Sequence, residues 1–148
     1  MPEEAGFIEA VGVAISSRDE VFVFARAEIP ILMFDREGRY LRGWGQGQFV
    51  RPHGIWIGPD DDLYLTDDKG HSVRRFSLAG ELIQSIGPGG EPADSGIEDM
   101  DYRTIQPGVG PYNMPTNLVT GPQGDLFITD GYGNARVHRF SAAGELEV

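Results

Sequence analysis

Laying the first third of the chain over the second at a displacement of 42 residues superposes Phe7 on Phe49, Gly12 on Gly54, Ile15 on Ile57, Val21 on Leu63, Phe34 on Phe76 and Gly38 on Gly80. A displacement of 63 superposes Gly54 on Asn117, Gly58 on Gly121, Pro59 on Pro122 and Leu63 on Leu126, and one inserted residue restores the register at Phe140 and Gly144. Three copies of one unit therefore fill the chain. A period of this length restricts the fold to a few stacked or radial architectures.

Each unit holds four short alternating apolar runs, such as "GIWIG", "LYLTD", "SVRRFS" and "ELIQSIG", separated by the turns "PDDD", "DKGH" and "LAG". With 21 glycines and 10 prolines among 148 residues punctuating them, the period is that of strands, not helices. Four short strands joined by tight turns make one antiparallel meander, and meanders stacked on their apolar faces make a β-propeller. The expected fold is all-β, a single domain of three four-stranded antiparallel blades at 7–48, 49–90 and 112–148. No helix longer than a turn or two is expected in those ranges. Residues 88–111 form a long acidic Gly/Pro-rich connection, expected to be either a lid beside the channel or a surface excursion.

Propellers close with about four to eight blades, so three leave two sheet faces uncovered. A homodimer of six blades closes the ring, blade one of each copy meeting blade three of the other. The competing expectation is a piece of a longer propeller, because the last run, "ELEV", stops short of its counterpart "ELIQSIG".

The formal net charge of -11 argues against nucleic acid and anionic membrane surfaces as partners, since both reward basic faces. With no cysteine, disulfides and thiolate metal sites are excluded. The start "MPEEAGFIEAVG" lacks the pattern of a secretory leader, and no apolar run is long enough to span a bilayer, so the expected location is the cytoplasm.

"LYLTDDKGHSVRRFSLAGEL" and "LFITDGYGNARVHRFSAAGEL" resemble the NHL repeat, with "VFVFARAEIPILMFDREGRYL" as a degenerate copy that lacks its Asp and Asn. Within that class, "VFVFARA", "FVRPHGIWI" and "TDGYGNARV" resemble three successive segments of the lyase domain of peptidylglycine α-amidating enzymes, a six-bladed NHL-type propeller. The resemblance implies that Arg26 binds the substrate carboxylate, that His53 is one of three histidines on a catalytic zinc, and that Tyr132 is a base. The implied reaction cleaves a peptidyl-α-hydroxyglycine to a peptide amide and glyoxylate. The family's other two zinc histidines, a second arginine and a methionine lie in later blades without counterparts here.

Each residue also has a plainer reading. His53 fits a strand entry like its repeat equivalents Val11 and Thr116; Arg26 fits a structural ion pair, for instance with Asp68; Tyr132 fits turn packing. Asp68 reads as a solvated turn residue, and His71 and His138 as structural. "PDDD" at 59–62 lacks the spaced oxygens of a calcium loop and reads as a solvated turn. Three functions follow. The first is a binding module that takes a small carboxylate ligand or a peptide end at the channel mouth. The second is a lyase using zinc or another divalent metal, its site completed by a second copy or by further chain. The third is a protein-interaction scaffold.

Overall fold

Alternation of apolar and polar residues, rich in Val, Ile, Phe and Tyr, sets eleven strands in a computed structural model that describes residues 9–106 and 110–147. The first sheet runs β1 (Ala10–Ile15), β2 (Val21–Ala25), β3 (Ile31–Phe34) and β4 (Tyr40–Trp44) in that order. The second repeats it with β5 (Pro52–Ile57), β6 (Leu63–Asp67), β7 (Ser72–Phe76) and β8 (Leu82–Ile86). The third contains β9 (Asn117–Thr120), β10 (Leu126–Asp130) and β11 (Arg136–Phe140), and every pairing is antiparallel. Its fourth strand is reduced to one bridge, Phe140 to Leu146, with Glu147 N–H donating to the Arg139 carbonyl. Phe7 lies outside the described residues.

The turn between the third and fourth strands shows why glycine recurs with the period. Gly38, Gly80 and Gly144 have φ of 80°, 96° and 82°, and each closes the same turn by donating its N–H to the carbonyl three residues back. No α-helix occurs among the described residues; the one helical turn is a 3-10 turn at Tyr102–Thr104, inside the long connection. Nor is any helix there long and apolar enough to cross a membrane.

Two apolar layers hold the sheets together. Phe22, Phe24, Ile31 and Met33 of the first sheet pack against Ile55, Leu63, Leu65 and Phe76 of the second. Tyr64, Val73 and Ile86 of the second pack against Leu118, Leu126, Ile128 and Phe140 of the third, with Tyr112. The middle sheet is covered on both sides, so all five residues of β6 are buried, whereas β10 alternates buried with exposed. Burying a large apolar side chain contributes about 1.5–3 kcal/mol, and this stacking is the main force between blades.

The long connection folds back instead of projecting. Ala93 N–H donates to the Tyr112 carbonyl, Gln106 N–H to that of Ser95, and the buried Ser95 hydroxyl to that of Gly133. Tyr112 anchors its end with a hydroxyl bond to the Ile86 carbonyl at 2.8 Å, and burial, with Asp130 nearby, pushes its phenol well above the ordinary range.

Candidate functional site

The opening strands β1, β5 and β9 lie side by side, bringing the repeat-equivalent Val11, His53 and Thr116 to the wall of one cavity of about 340 Å³. Glycine permits the approach: a Cβ on Gly54 would sit 2.3 Å from the Thr116 carbonyl oxygen. With β5 this close to β9, His53 Nδ1 reaches that oxygen at 2.9 Å. A carbonyl only accepts, so Nδ1 carries the proton and Nε2 keeps a lone pair. Nε2 lies 3.3 Å from the Tyr132 hydroxyl, which therefore donates to it, and the rings meet edge to face. His53 is the second residue of β5, at the entry of the strand.

Tyr132 rides the turn between β10 and β11 and is 44% exposed. The turn is fixed from behind. Gly133 N–H donates to the Asn113 carbonyl, and a Cβ on Gly133 would lie 2.3 Å from the Asn113 side chain. The fully buried Asp130 accepts from Asn113 N–H at 2.9 Å and Asn134 Nδ2 at 2.6 Å, and His138 Nε2 donates to it at 3.0 Å. The Gly-Tyr-Gly-Asn sequence is thus a turn built for packing that leaves one hydroxyl facing His53. The other two histidines are structural: His138 as described, and His71 through an Nδ1 that accepts the Met114 N–H.

Arg26 follows β2 and lines a second cavity, of about 350 Å³, together with Arg51 and Phe49. Its Nε donates to the Pro52 carbonyl at 3.1 Å, one residue before His53, and its Nη1 meets the Glu9 carboxylate at 2.8 Å. Arg26 therefore pairs with Glu9 and not with Asp68. Asp68 is no solvated turn residue: fully buried, it receives a two-point bond from Arg51, with Nε at 2.7 Å and Nη2 at 2.5 Å. The reason is visible at the 42-residue displacement, where Glu9 and Arg51 are equivalent, as are Arg26 and Asp68. The two repeats place opposite charges in the same pair of positions. The bond from Asp68 raises Arg51 above the ordinary range, against the opposing effect of burial, and the nearby Tyr132 adds a smaller contribution.

Asp61 and Asp62 of the 59–62 turn also do more than face water. Asp61 accepts the backbone N–H and hydroxyl of Ser17 from the first repeat, and Asp62 pairs with Arg75.

The fold matches that of virginiamycin B lyase from Staphylococcus aureus, solved with quinupristin, at a TM-score of 0.67 and 19% identity over 99% of this chain and 42% of that one. In sequence the chain is 36% identical to Peptidyl-alpha-hydroxyglycine alpha-amidating lyase 1 of Drosophila melanogaster over 110 residues, which are 74% of this chain and 18% of the relative. The chain is an NHL-repeat propeller related to the amidating lyases. It is also 29% identical to NHL repeat-containing protein 3 of Homo sapiens over 70% of its length and 28% of that protein's. It thus spans less than a third of these curated relatives. No family model matches it.

The three-histidine zinc implied by the amidating-lyase resemblance does not fit the residues present. Among the described residues no three His, Cys, Asp or Glu side chains gather as a metal site. His53 stands with one nitrogen on Thr116 and the other on Tyr132, while its repeat equivalents Val11 and Thr116 supply no imidazole.

The sequence reading passed over Arg51 and Glu9. The charge exchange between positions 9 and 51, and between 26 and 68, was the available signal.

Proposed function

We propose that this three-blade unit is a binding module that receives a carboxylate, from a small acid or a peptide end, at Arg26. One observation carries the reading. Arg26 is oriented by the Pro52 carbonyl and already holds a carboxylate, yet the carboxylate belongs to Glu9, whose side chain is 57% exposed. An ion pair of this exposure contributes about 0–1 kcal/mol, so a ligand carboxylate can replace Glu9 at small cost. The guanidinium then supplies a planar fork that matches the two oxygens of a ligand carboxylate.

Calorimetric titration with a short peptide bearing a free C-terminal carboxylate tests this. Saturable binding is expected, weakened roughly tenfold or more when the same peptide is amidated or when Arg26→Ala is used. Equal binding of both peptides would remove the reading.

A lyase-like activity is the second reading, favoured by the His53–Tyr132 contact and by relatives named amidating lyases. Tyr132, donating to the free lone pair of His53, is arranged to pass its proton to Nε2 and act as a base. Turnover of a short α-hydroxyglycine peptide, with and without added zinc and abolished by His53→Ala, would favour it over binding alone.

The assembly we propose is a pair of chains closing six blades. The third sheet turns Val119 (42% exposed), Phe127 (37%) and Val137 (58%) outward, and a first sheet from a second copy would cover them. Light scattering at micromolar concentration should return twice the chain mass of 16.2 kDa. A monodisperse monomer would rule the pair out.

A further inference from the structure

The groove at Arg26 has a copy. Ala27, Pro30 and Gly45 line it, and the residues 42 positions later, Lys69, Ser72 and Gly87, line a separate cavity of about 360 Å³ in the second repeat. We propose that this second groove is an independent oxyanion site that takes phosphate or a small phosphate monoester.

Charge is the first ground. Lys69 is the sole lysine of the chain, and among the described residues it is the one basic Lys or Arg side chain with neither an ion pair nor a hydrogen-bond partner, in a protein with 23 acids against 12 bases. The eleven arginines all have one. An unpaired cation on such an acidic chain is out of keeping with its surroundings, and this one stands at the mouth of a concave site.

Pre-organisation is the second. Arg74 forms a wall of the same cavity, held by an Nη2 bond to the Gln48 carbonyl at 2.7 Å and by stacking over Phe49 at 4.5 Å from the ring centre. Its Nη1 makes no hydrogen bond among the described residues. Asp67 also lines the cavity, 4.0 Å from Arg74 Nη2 and held by the N–H groups of Val50, Arg51 and Gly70 at 2.7, 2.8 and 2.8 Å; set against Lys69 and Arg74, its one negative charge still leaves the groove with positive charge in excess. A fixed guanidinium loses little freedom on binding an anion.

Donor count is the third. Ser72 and Ser85 line the cavity, and neither hydroxyl has a partner among the described residues. Gly89 keeps the groove open, since a Cβ there would come within 2.8 Å of that of Ser72. Two cations and two hydroxyls surpass what a planar carboxylate accepts and match a tetrahedral oxyanion with three or four oxygens. The volume exceeds that of the bare ion and leaves room for the alcohol part of a monoester.

The test is calorimetric titration of the full chain with inorganic phosphate and with glycerol phosphate at constant ionic strength, acetate serving as control. Saturable phosphate binding is expected, with acetate failing to compete. Lys69→Gln should weaken it roughly tenfold or more, Lys69→Arg should retain it, and Ser85→Ala should weaken it about threefold. Lys69 is exposed, so its substitution leaves the fold intact. Arg26→Ala should leave phosphate binding unchanged, which separates this site from the carboxylate groove; failure of one does not entail failure of the other. Wild-type affinity in Lys69→Gln, absence of saturation, or equal competition by acetate would each overturn the proposal.

Discussion

The first and second repeats put an arginine and a carboxylate at the same two backbone positions, yet the pairs behave differently. Arg51 and Asp68 have side chains 32% and 0% exposed, while Arg26 and Glu9 are 33% and 57% exposed. The arginines are equally accessible; the burial of the carboxylate differs. A buried carboxylate cannot be left without its partner, so Arg51 is a strut. An exposed one exchanges with water or a ligand, so Arg26 is available. Position in a repeat therefore does not assign a role until the partner's solvation is known.

The largest expected effect breaks the strut. Arg51→Ala should lower stability by about 3 kcal/mol, since it leaves the fully buried Asp68 carboxylate without its cation, whereas Glu9→Gln should change it by less than about 1 kcal/mol. Urea denaturation of both variants gives the comparison directly, and similar losses would show that the pairs are equivalent after all.

A second contrast concerns the inner strands. Gly54→Ala should cost about 2 kcal/mol because its Cβ meets a backbone oxygen at 2.3 Å, while Gly12→Ala should cost about 1 kcal/mol or less, its obstacle being the Ile55 Cγ2 at 2.7 Å, which has a rotamer to yield. Thermal unfolding ranks the two. Gly54→Ala should also shift the His53 ring resonances, since it pushes Thr116 away.

The third contrast sets a buried phenol against an exposed one. Tyr112, raised well above the ordinary value of 10.0 chiefly by burial, is stabilising in its neutral form. That contribution is complete below pH 10 and is lost as the pH climbs from there towards the folded value. Tyr112→Phe should blunt the alkaline loss while costing about 1 kcal/mol at neutral pH for the unpaired Ile86 carbonyl. Tyr132→Phe, at the exposed position, should cost less than about 0.5 kcal/mol at neutral pH, its hydroxyl being open to water. Unfolding monitored from pH 7 to 11 checks both.

The smallest effect sharpens the ligand comparison. Glu9→Gln should tighten carboxylate binding at Arg26 about two- to threefold by removing the internal competitor. Weaker binding would mean that Glu9 orients the arginine instead of competing for it.

Much of this was written in the period of the sequence. The three sheets, their strand order and the glycines at 38, 80 and 144 follow from it because turns of positive φ and alternating faces are local requirements that each copy must meet. The contact of His53 with Tyr132 was foreshadowed only by resemblance, since 79 positions separate them and nothing local to either demands the other. The long connection read as either a lid or an excursion because its composition is polar, but its backbone groups at Ala93, Ser95 and Gln106 bond to one another and to Tyr112, and the Ser95 hydroxyl ties it to Gly133 in the turn between β10 and β11.

By itself, then, the sequence determined the repeating unit, its strands and the charges offered at each rim. Tertiary structure alone decided which charges are buried, which arginine is fixed, and that the Lys69 ammonium has no partner among the described residues. The physical reason is range. Turn geometry and strand alternation act over a few residues and recur with each copy, whereas desolvation depends on what the neighbouring blade lays over a side chain. That covering differs at Glu9, Asp68 and Lys69 even though the backbone beneath them repeats.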